Sequence, residues 1–190
     1  DEVVARLTPR LYELYGFSEG FATMRKPEDS PALPGAVGRP VIGFDLRIVD
    51  ANGKECACGV VGEIVGCGTG AMAGYHNRPD LDAEIVWHDA NGQPFLRSGD
   101  LGFVDAEGFL HIVDRKKDMI LSGGFNIYPA DLETVIGAHP AVQDVAVIGI
   151  PHPKWGETPL ALVIPHGDPD PAKLLAWSNE RLARTQRLAA

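Results

Sequence analysis

Cysteine is scarce in this 190-residue chain: Cys56, Cys58 and Cys67 are the only three. So few, and an odd number, cannot build a disulfide framework. Cys56-Ala57-Cys58 is too tight for the usual zinc spacing and has no second pair. Without a recognisable secretory pattern, these cysteines read as structural or incidental and predict a reducing, cytoplasmic setting. Basic charge is also in short supply. Seventeen Lys and Arg against 26 Asp and Glu give a net charge of −9, which argues against a nucleic-acid footprint. No apolar run approaches the roughly 18 residues that cross a bilayer as a helix, so no transmembrane segment is expected. The six histidines show no HExxH-type metal spacing.

Turn chemistry, by contrast, is plentiful. With 22 glycines, 15 prolines and 45% hydrophobic residues, the composition suits short strands joined by turns around a real core, not a helix bundle. The length suffices for one domain or two small ones. Three similar turns punctuate the middle: Asp50-Ala51-Asn52-Gly53, Asp89-Ala90-Asn91-Gly92 and Asp105-Ala106-Glu107-Gly108. Their Asn-Gly and Glu-Gly pairs are expected to supply the positive φ of tight hairpins. Strands are predicted at Phe44 to Asp50, Val60 to Gly66, Pro94 to Arg97, Leu101 to Asp105 and Phe109 to Asp114. In the first, Phe44, Leu46 and Ile48 alternate with Asp45 and Arg47, as in a half-buried strand.

The character changes after Asp114. Pro129 opens a helix with Leu132, Val135 and Ile136 on one face, and His139-Pro140 ends it. The apolar run Val145 to Ile150 reads as a buried strand, and Leu160 to Ile164 as another. Asp170 caps a helix whose first residue is Pro171 and which is expected to run towards Leu188. Val3 to Leu14 is amphipathic and leads into a strand. The fold class is α+β: a β-rich part followed by a small α/β lobe, with Arg115 to Lys117 as the joint.

Several segments carry residue types suited to chemistry. Tyr15-Gly16-Phe17-Ser18-Glu19-Gly20 combines an aromatic ring, a hydroxyl and a carboxylate. Gly62-Glu63-Ile64-Val65-Gly66 precedes Met72-Ala73-Gly74-Tyr75. Ser98-Gly99-Asp100-Leu101 offers a turn carboxylate, Asp114-Arg115-Lys116-Lys117-Asp118 a charge run, and Ser122-Gly123-Gly124-Phe125-Asn126 a glycine pair. In this order, and above all over Arg97 to Glu133, they resemble the AMP-forming acyl-CoA synthetases. That adenylate-forming superfamily also holds the adenylation domains of peptide synthetases and the beetle luciferases.

The resemblance implies roles. Tyr15 would face adenine, Ser18 a phosphate, and Glu19 would hold Mg2+, a hard ion that prefers oxygen ligands. Asp100 would accept from both ribose hydroxyls, and Arg115 would sit near the ribose and phosphates. Lys117 would be the hinge on which the small lobe turns. Gly124 would line the tunnel for the thiol of CoA, where glycine lets backbone approach a narrow ligand. Each has a plainer alternative. Tyr15 to Gly20 could be a surface turn, Asp100 a turn cap, Arg115 to Lys117 a solvated charge run and Gly123-Gly124 a tight hairpin. His152 and Trp155, in Ile150-Pro151-His152-Pro153-Lys154-Trp155-Gly156-Glu157, read as a packed loop.

The resemblance further implies that residues 1–114 are the end of the large nucleotide-binding domain. Residues 115–190 would be a small mobile domain stopping before its catalytic lysine. The phosphate loop and most of the acyl pocket would lie upstream, with Pro34-Gly35-Ala36-Val37-Gly38 near the acid. The chain is thus expected to be an inactive portion of an acid–CoA ligase. That ligase would use ATP, Mg2+, CoA and a fatty or aromatic carboxylic acid, with self-association left open. The alternatives are a peptide-synthetase adenylation domain and a non-catalytic nucleotide-binding module. The first is disfavoured because Asn126-Ile127-Tyr128-Pro129 looks more like the CoA ligases.

Overall fold

A computed structural model describes residues 6–29 and 35–189. The start of the Val3–Leu14 segment, and Pro34 with it, lie outside the described residues. The chain forms two compact units, the first ending at Val113 and the second beginning at Asp114.

In the first unit, β1 (Glu13–Phe17) and β2 (Phe21–Arg25) form an antiparallel hairpin, and β3 (Arg39–Pro40) flanks β2. A second sheet contains β4 (Phe44–Val49), β5 (Gly62–Gly68), β6 (Val86–His88), β7 (Pro94–Val104) and β8 (Leu110–Arg115). Its order is β4-β5-β7-β6, with β8 also on β7. Helix α1 (Pro79–Ile85) precedes β6. Leu46 and Ile48 are buried as their alternation requires, and they pack with Phe21, Ile64 and Leu110. Phe21 makes edge-on ring contacts with both Tyr15 and Phe44, so it pins the hairpin to the second sheet. Burying a ring of this kind stabilises by roughly 1.5–3 kcal/mol.

The three aspartate turns share one hydrogen-bond pattern. Each carboxylate accepts the N–H groups two and four residues on: Asn52 and Lys54 for Asp50, Asn91 and Gln93 for Asp89, Glu107 and Phe109 for Asp105. Only the glycines, Gly53, Gly92 and Gly108, take positive φ. This corrects the expected Asn-Gly and Glu-Gly turns. The aspartate closes the loop and glycine alone supplies the left-handed residue.

The second unit has a four-stranded sheet of β9 (Ile120–Ser122), β10 (Phe125–Ile127), β11 (Val142–His152) and β12 (Gly156–Pro165). The order is β10-β9-β12-β11. Helices α2 (Pro129–Gly137) and α3 (Pro171–Arg181) complete it. Its core joins Ile120, Ile127, Leu132, Ile136, Val142, Val147, Leu182 and Leu188. Leu132 and Ile136 are the buried i, i+4 pair of α2. Both helices open on proline, and Asp170 Oδ1 accepts from Ala172 N at 2.9 Å and Lys173 N at 3.4 Å. The α2 cap comes from a distance instead, because Asp114 Oδ2 accepts Ala130 N–H.

Three expectations need correction, and some elements went unread. Pro94–Arg97 and Leu101–Asp105 are one strand, β7, interrupted by a bulge. The run Val145 to Ile150 is not fully buried. Strand β11 lies at the edge of the sheet, and Ile148 is 43% exposed. Helix α3 stops at Arg181 instead of reaching Leu188. Leu182 and Leu188 are both core residues, and a continuous helix would set them about 120° apart around its axis. The chain doubles back, and the Asn179 amide accepts Leu188 N–H and donates to the Leu188 carbonyl. Finally, β2, β3, β6 and α1 were not read from the sequence at all.

Candidate functional site

Asp100 stands on the bulge of β7. In the β5–β7 ladder Glu63 pairs with Leu101 and Val65 with Arg97, so Ser98, Gly99 and Asp100 face Ile64 alone. Gly99, at φ +76°, lets the chain make the excursion. Ser98 fastens it: its hydroxyl donates to the Ile64 carbonyl at 2.8 Å and accepts Asp100 N–H at 3.0 Å. Such bulges re-aim a side chain out of the ladder. Here the carboxylate meets Tyr15, whose hydroxyl donates to Asp100 Oδ2 at 2.7 Å.

Tyr15 is half-buried on β1, and the turn Ser18-Glu19-Gly20 follows that strand. Ser18 is exposed and Glu19 half-buried. The turn is closed by Gly20 N–H to Phe17 O and clamped by Met72 N–H to Glu19 O. The Tyr75 hydroxyl donates to Glu19 Oε1 at 2.6 Å. That hydrogen bond, then burial, pushes the Tyr75 phenol up from its ordinary pKa. The sequence offered no role for Tyr75. Its Gly-Tyr setting was the only signal, and spacing cannot say which residue it meets.

Among the described residues, no group of three or more His, Cys, Asp and Glu could hold a metal ion. Mg2+ shared with a nucleotide asks less of the protein, typically one or two carboxylates alongside the phosphates. Glu19 fits that kind of site and no protein-only cage. Nearby, buried Glu63 pairs with Arg97, which joins β5 to β7 beside the bulge.

The second unit carries the remaining candidates. Arg115 ends β8, and Lys117 is exposed in the turn closed by Asp118 N–H and Met119 N–H on the Arg115 carbonyl. Gly123 and Gly124, at φ +58° and +85°, form the two-residue turn between β9 and β10. Two successive positive φ values define a type I′ hairpin, so turn geometry by itself accounts for both glycines. A Cβ on Gly124 would meet nothing within 4 Å, whereas one on Gly123 would press on the Trp155 ring at 2.9 Å. Glu133 ties α2 to β11 by accepting Val147 N–H. His152 Nδ1 accepts from Lys154 N and Trp155 N, and its ring stacks on Trp155, so the loop packs on itself. A cavity of about 350 Å3 beside the glycine turn is lined by Phe125, Trp155, Arg184 and Arg187, among others. The two arginines were not singled out in the sequence, where they fall in the stretch expected to continue the last helix.

The chain is similar to known proteins. The profile of the AMP-binding enzyme family matches residues 1–76, and that of the AMP-binding enzyme C-terminal domain matches residues 131–189. A 2-succinylbenzoate–CoA ligase of Bacillus velezensis is 38% identical over 95% of this chain and 36% of its own length. A feruloyl-CoA synthase of an Amycolatopsis species is 42% identical over 78% of the chain and 30% of its own length. The o-succinylbenzoate CoA synthetase of Bacillus subtilis, solved with an acyl-adenylate intermediate, superposes with a TM-score of 0.81. It is 35% identical, and the match covers 95% of this chain and 36% of that one. The chain thus spans about a third of the length of the relatives it matches. Two family profiles in order, relatives of this identity and the shared fold lead to one conclusion: the chain belongs to the AMP-binding enzymes, among the adenylate-forming acyl-CoA synthetases.

Proposed function

We propose that this chain serves an AMP-forming acid–CoA ligase. In that reaction a carboxylate oxygen attacks the α-phosphorus of ATP, and pyrophosphate leaves with the electron pair. The CoA thiol then adds to the acyl carbon, loses its proton, and AMP departs. Activation is needed because a carboxylate is a poor electrophile and AMP a good leaving group. The observation that carries the reading is the Tyr15–Asp100 contact, with Glu19 on the turn after the same strand. It joins a ring suited to a base, a carboxylate suited to a ribose diol and a carboxylate suited to Mg2+.

In this reading Tyr15 faces adenine, Asp100 accepts from the ribose hydroxyls and Ser18 donates to a phosphate. Arg115 adds a permanent charge near the ribose and phosphates. Glu19 would hold Mg2+, which would offset phosphate charge. Residues 1–114 belong to the large domain. Residues 115–190 form a lobe that turns at Lys117 between the two half-reactions, bringing the Gly124 turn to the thiol path. The Arg184 and Arg187 cavity beside that turn, with Trp155 and Phe125, suits the anionic nucleotide end of CoA. An aromatic acid is the favoured substrate, since both relatives are named for acids carrying a benzene ring. We place the protein in the cytoplasm, where its free cysteines stay reduced. Among the described residues, no helix is long and apolar enough to cross a membrane.

The test is ATP–pyrophosphate exchange and thioester formation by the full-length protein with a panel of aromatic and fatty acids. Exchange followed by CoA-dependent AMP release supports the ligase. Exchange without thioester formation, or no exchange with any acid, overturns it.

A further inference from the structure

Glu19 is gripped at both ends by one short segment. Its side chain takes the Tyr75 hydroxyl at 2.6 Å and its backbone carbonyl takes Met72 N–H at 2.8 Å. The next residue, Gly20, lies so close to Ala71 that a Cβ would fall 2.2 Å from the Ala71 Cα. The gripping segment is itself anchored. Tyr75 N–H donates to Asp82 Oδ1 on α1 at 2.8 Å. Gly74, at φ +142°, bends the chain into that contact. A path of direct contacts thus runs from α1 through Tyr75 to the Glu19 carboxylate.

From this geometry we propose that Tyr75 is a positioning residue that sets the orientation of the Glu19 carboxylate for Mg2+–nucleotide binding. The proposal rests on the reading of Glu19 given above. A glutamate in a turn has many rotamers open to it, and a charge-assisted O–H to carboxylate bond of this length selects one. The Tyr75 contact is to Oε1, so it does not compete with a cation for the lone pairs of Glu19 Oε2. Hydrogen-bond partners of metal-binding carboxylates act in this way, and their loss typically weakens metal affinity by about ten- to a hundredfold.

The experiment uses the full-length protein and equilibrium binding of a fluorescent ATP analogue, with no turnover required. Binding is titrated with Mg2+, repeated with Mn2+, and measured once in EDTA. Tyr75→Phe, which keeps the ring, is expected to raise the half-saturating Mg2+ concentration about tenfold and to leave the EDTA affinity unchanged. Glu19→Gln is expected to abolish the metal enhancement, and adding Tyr75→Phe to it should change nothing more. Asp82→Ala loosens Tyr75 while sparing its hydroxyl. It should shift the midpoint the same way by less, and it provides the test if Tyr75→Phe is poorly folded. An unchanged midpoint in Tyr75→Phe, with enhancement lost in Glu19→Gln, overturns the role of Tyr75 and leaves the reading of Glu19 standing. Enhancement that survives Glu19→Gln overturns both.

Discussion

The Tyr15 hydroxyl donates to the Asp100 carboxylate across 2.7 Å, joining β1 to the bulge of β7 over 85 residues of sequence. The contact fixes the ring and the carboxylate relative to one another. If the ring carries adenine and the carboxylate the ribose, base and sugar recognition are set together.

Asp100→Ala in the full-length protein should therefore weaken ATP binding by about 1.5–3 kcal/mol, the range for hydrogen bonds to charged groups. Discrimination against 2′-deoxy-ATP should fall with it. Tyr15→Phe keeps the ring and should lose roughly 0.5–1.5 kcal/mol, with a smaller loss of ribose selectivity. Calorimetric titration with both nucleotides checks this. Wild-type selectivity in Asp100→Ala would reduce that residue to a turn aspartate.

Lys117 lies in the turn after β8, and substitution there separates a hinge from a solvated charge. Proline fixes φ near −65° and removes the amide donor. Lys117→Pro should spare acyl-adenylate formation and slow thioester formation by orders of magnitude, while Lys117→Ala should be mild. Single-turnover measurement of each half-reaction decides between them. Equal loss in both steps would point to misfolding or a direct chemical role.

The aspartate turns predict acid sensitivity. Asp50 and Asp89 are held below the ordinary aspartate pKa of 3.8, first by the backbone N–H groups of Lys54 and Gln93. For Asp105, burial opposes ionisation, but the His111 hydrogen bond and the turn amides outweigh it and the pKa is again lowered. Groups with depressed folded values contribute stability that is fully present above the unfolded value. It is lost as pH falls through the folded one. Thermal melting midpoints should therefore hold steady down to about pH 4 and drop below it. Asp105→Asn should flatten its share of that fall.

Gly20→Ala should destabilise the first unit strongly. The added methyl would meet Ala71 backbone at 2.2 Å, at a φ of +118° that L residues rarely adopt. Overpacking with backbone strain costs about 2–4 kcal/mol. Gly124→Ala meets no atom and should cost only the strain of positive φ, about 1–2 kcal/mol. Chemical denaturation of both variants gives the comparison.

Much of the fold could be read from local sequence, because the cause lay within a few residues. Asp170-Pro171 starts α3, Leu132 and Ile136 give α2 its buried face, and the Asp-x-x-Gly turns close within five residues. The end of α3 was misread because what stops it is the Asn179 side chain binding Leu188, a contact that exists only once the chain has turned back. Edge strand β11 was misread for a related reason: an apolar run carries no record of how many neighbours it will have.

The candidate site divides along the same line. The ordered resemblance to the acyl-CoA synthetases, not the residue types alone, singled out Tyr15, Ser18, Glu19, Asp100, Arg115, Lys117 and Gly124. The sequence by itself thus determined where the three aspartate turns fall, where α2 and α3 start and the residue types available for chemistry. Only the tertiary structure decided that Tyr15 meets Asp100, that Tyr75 meets Glu19 and that Asp114 caps α2. Hydrogen bonds reach about 3 Å, so residues distant in sequence become partners only where strand register and packing bring them within that range.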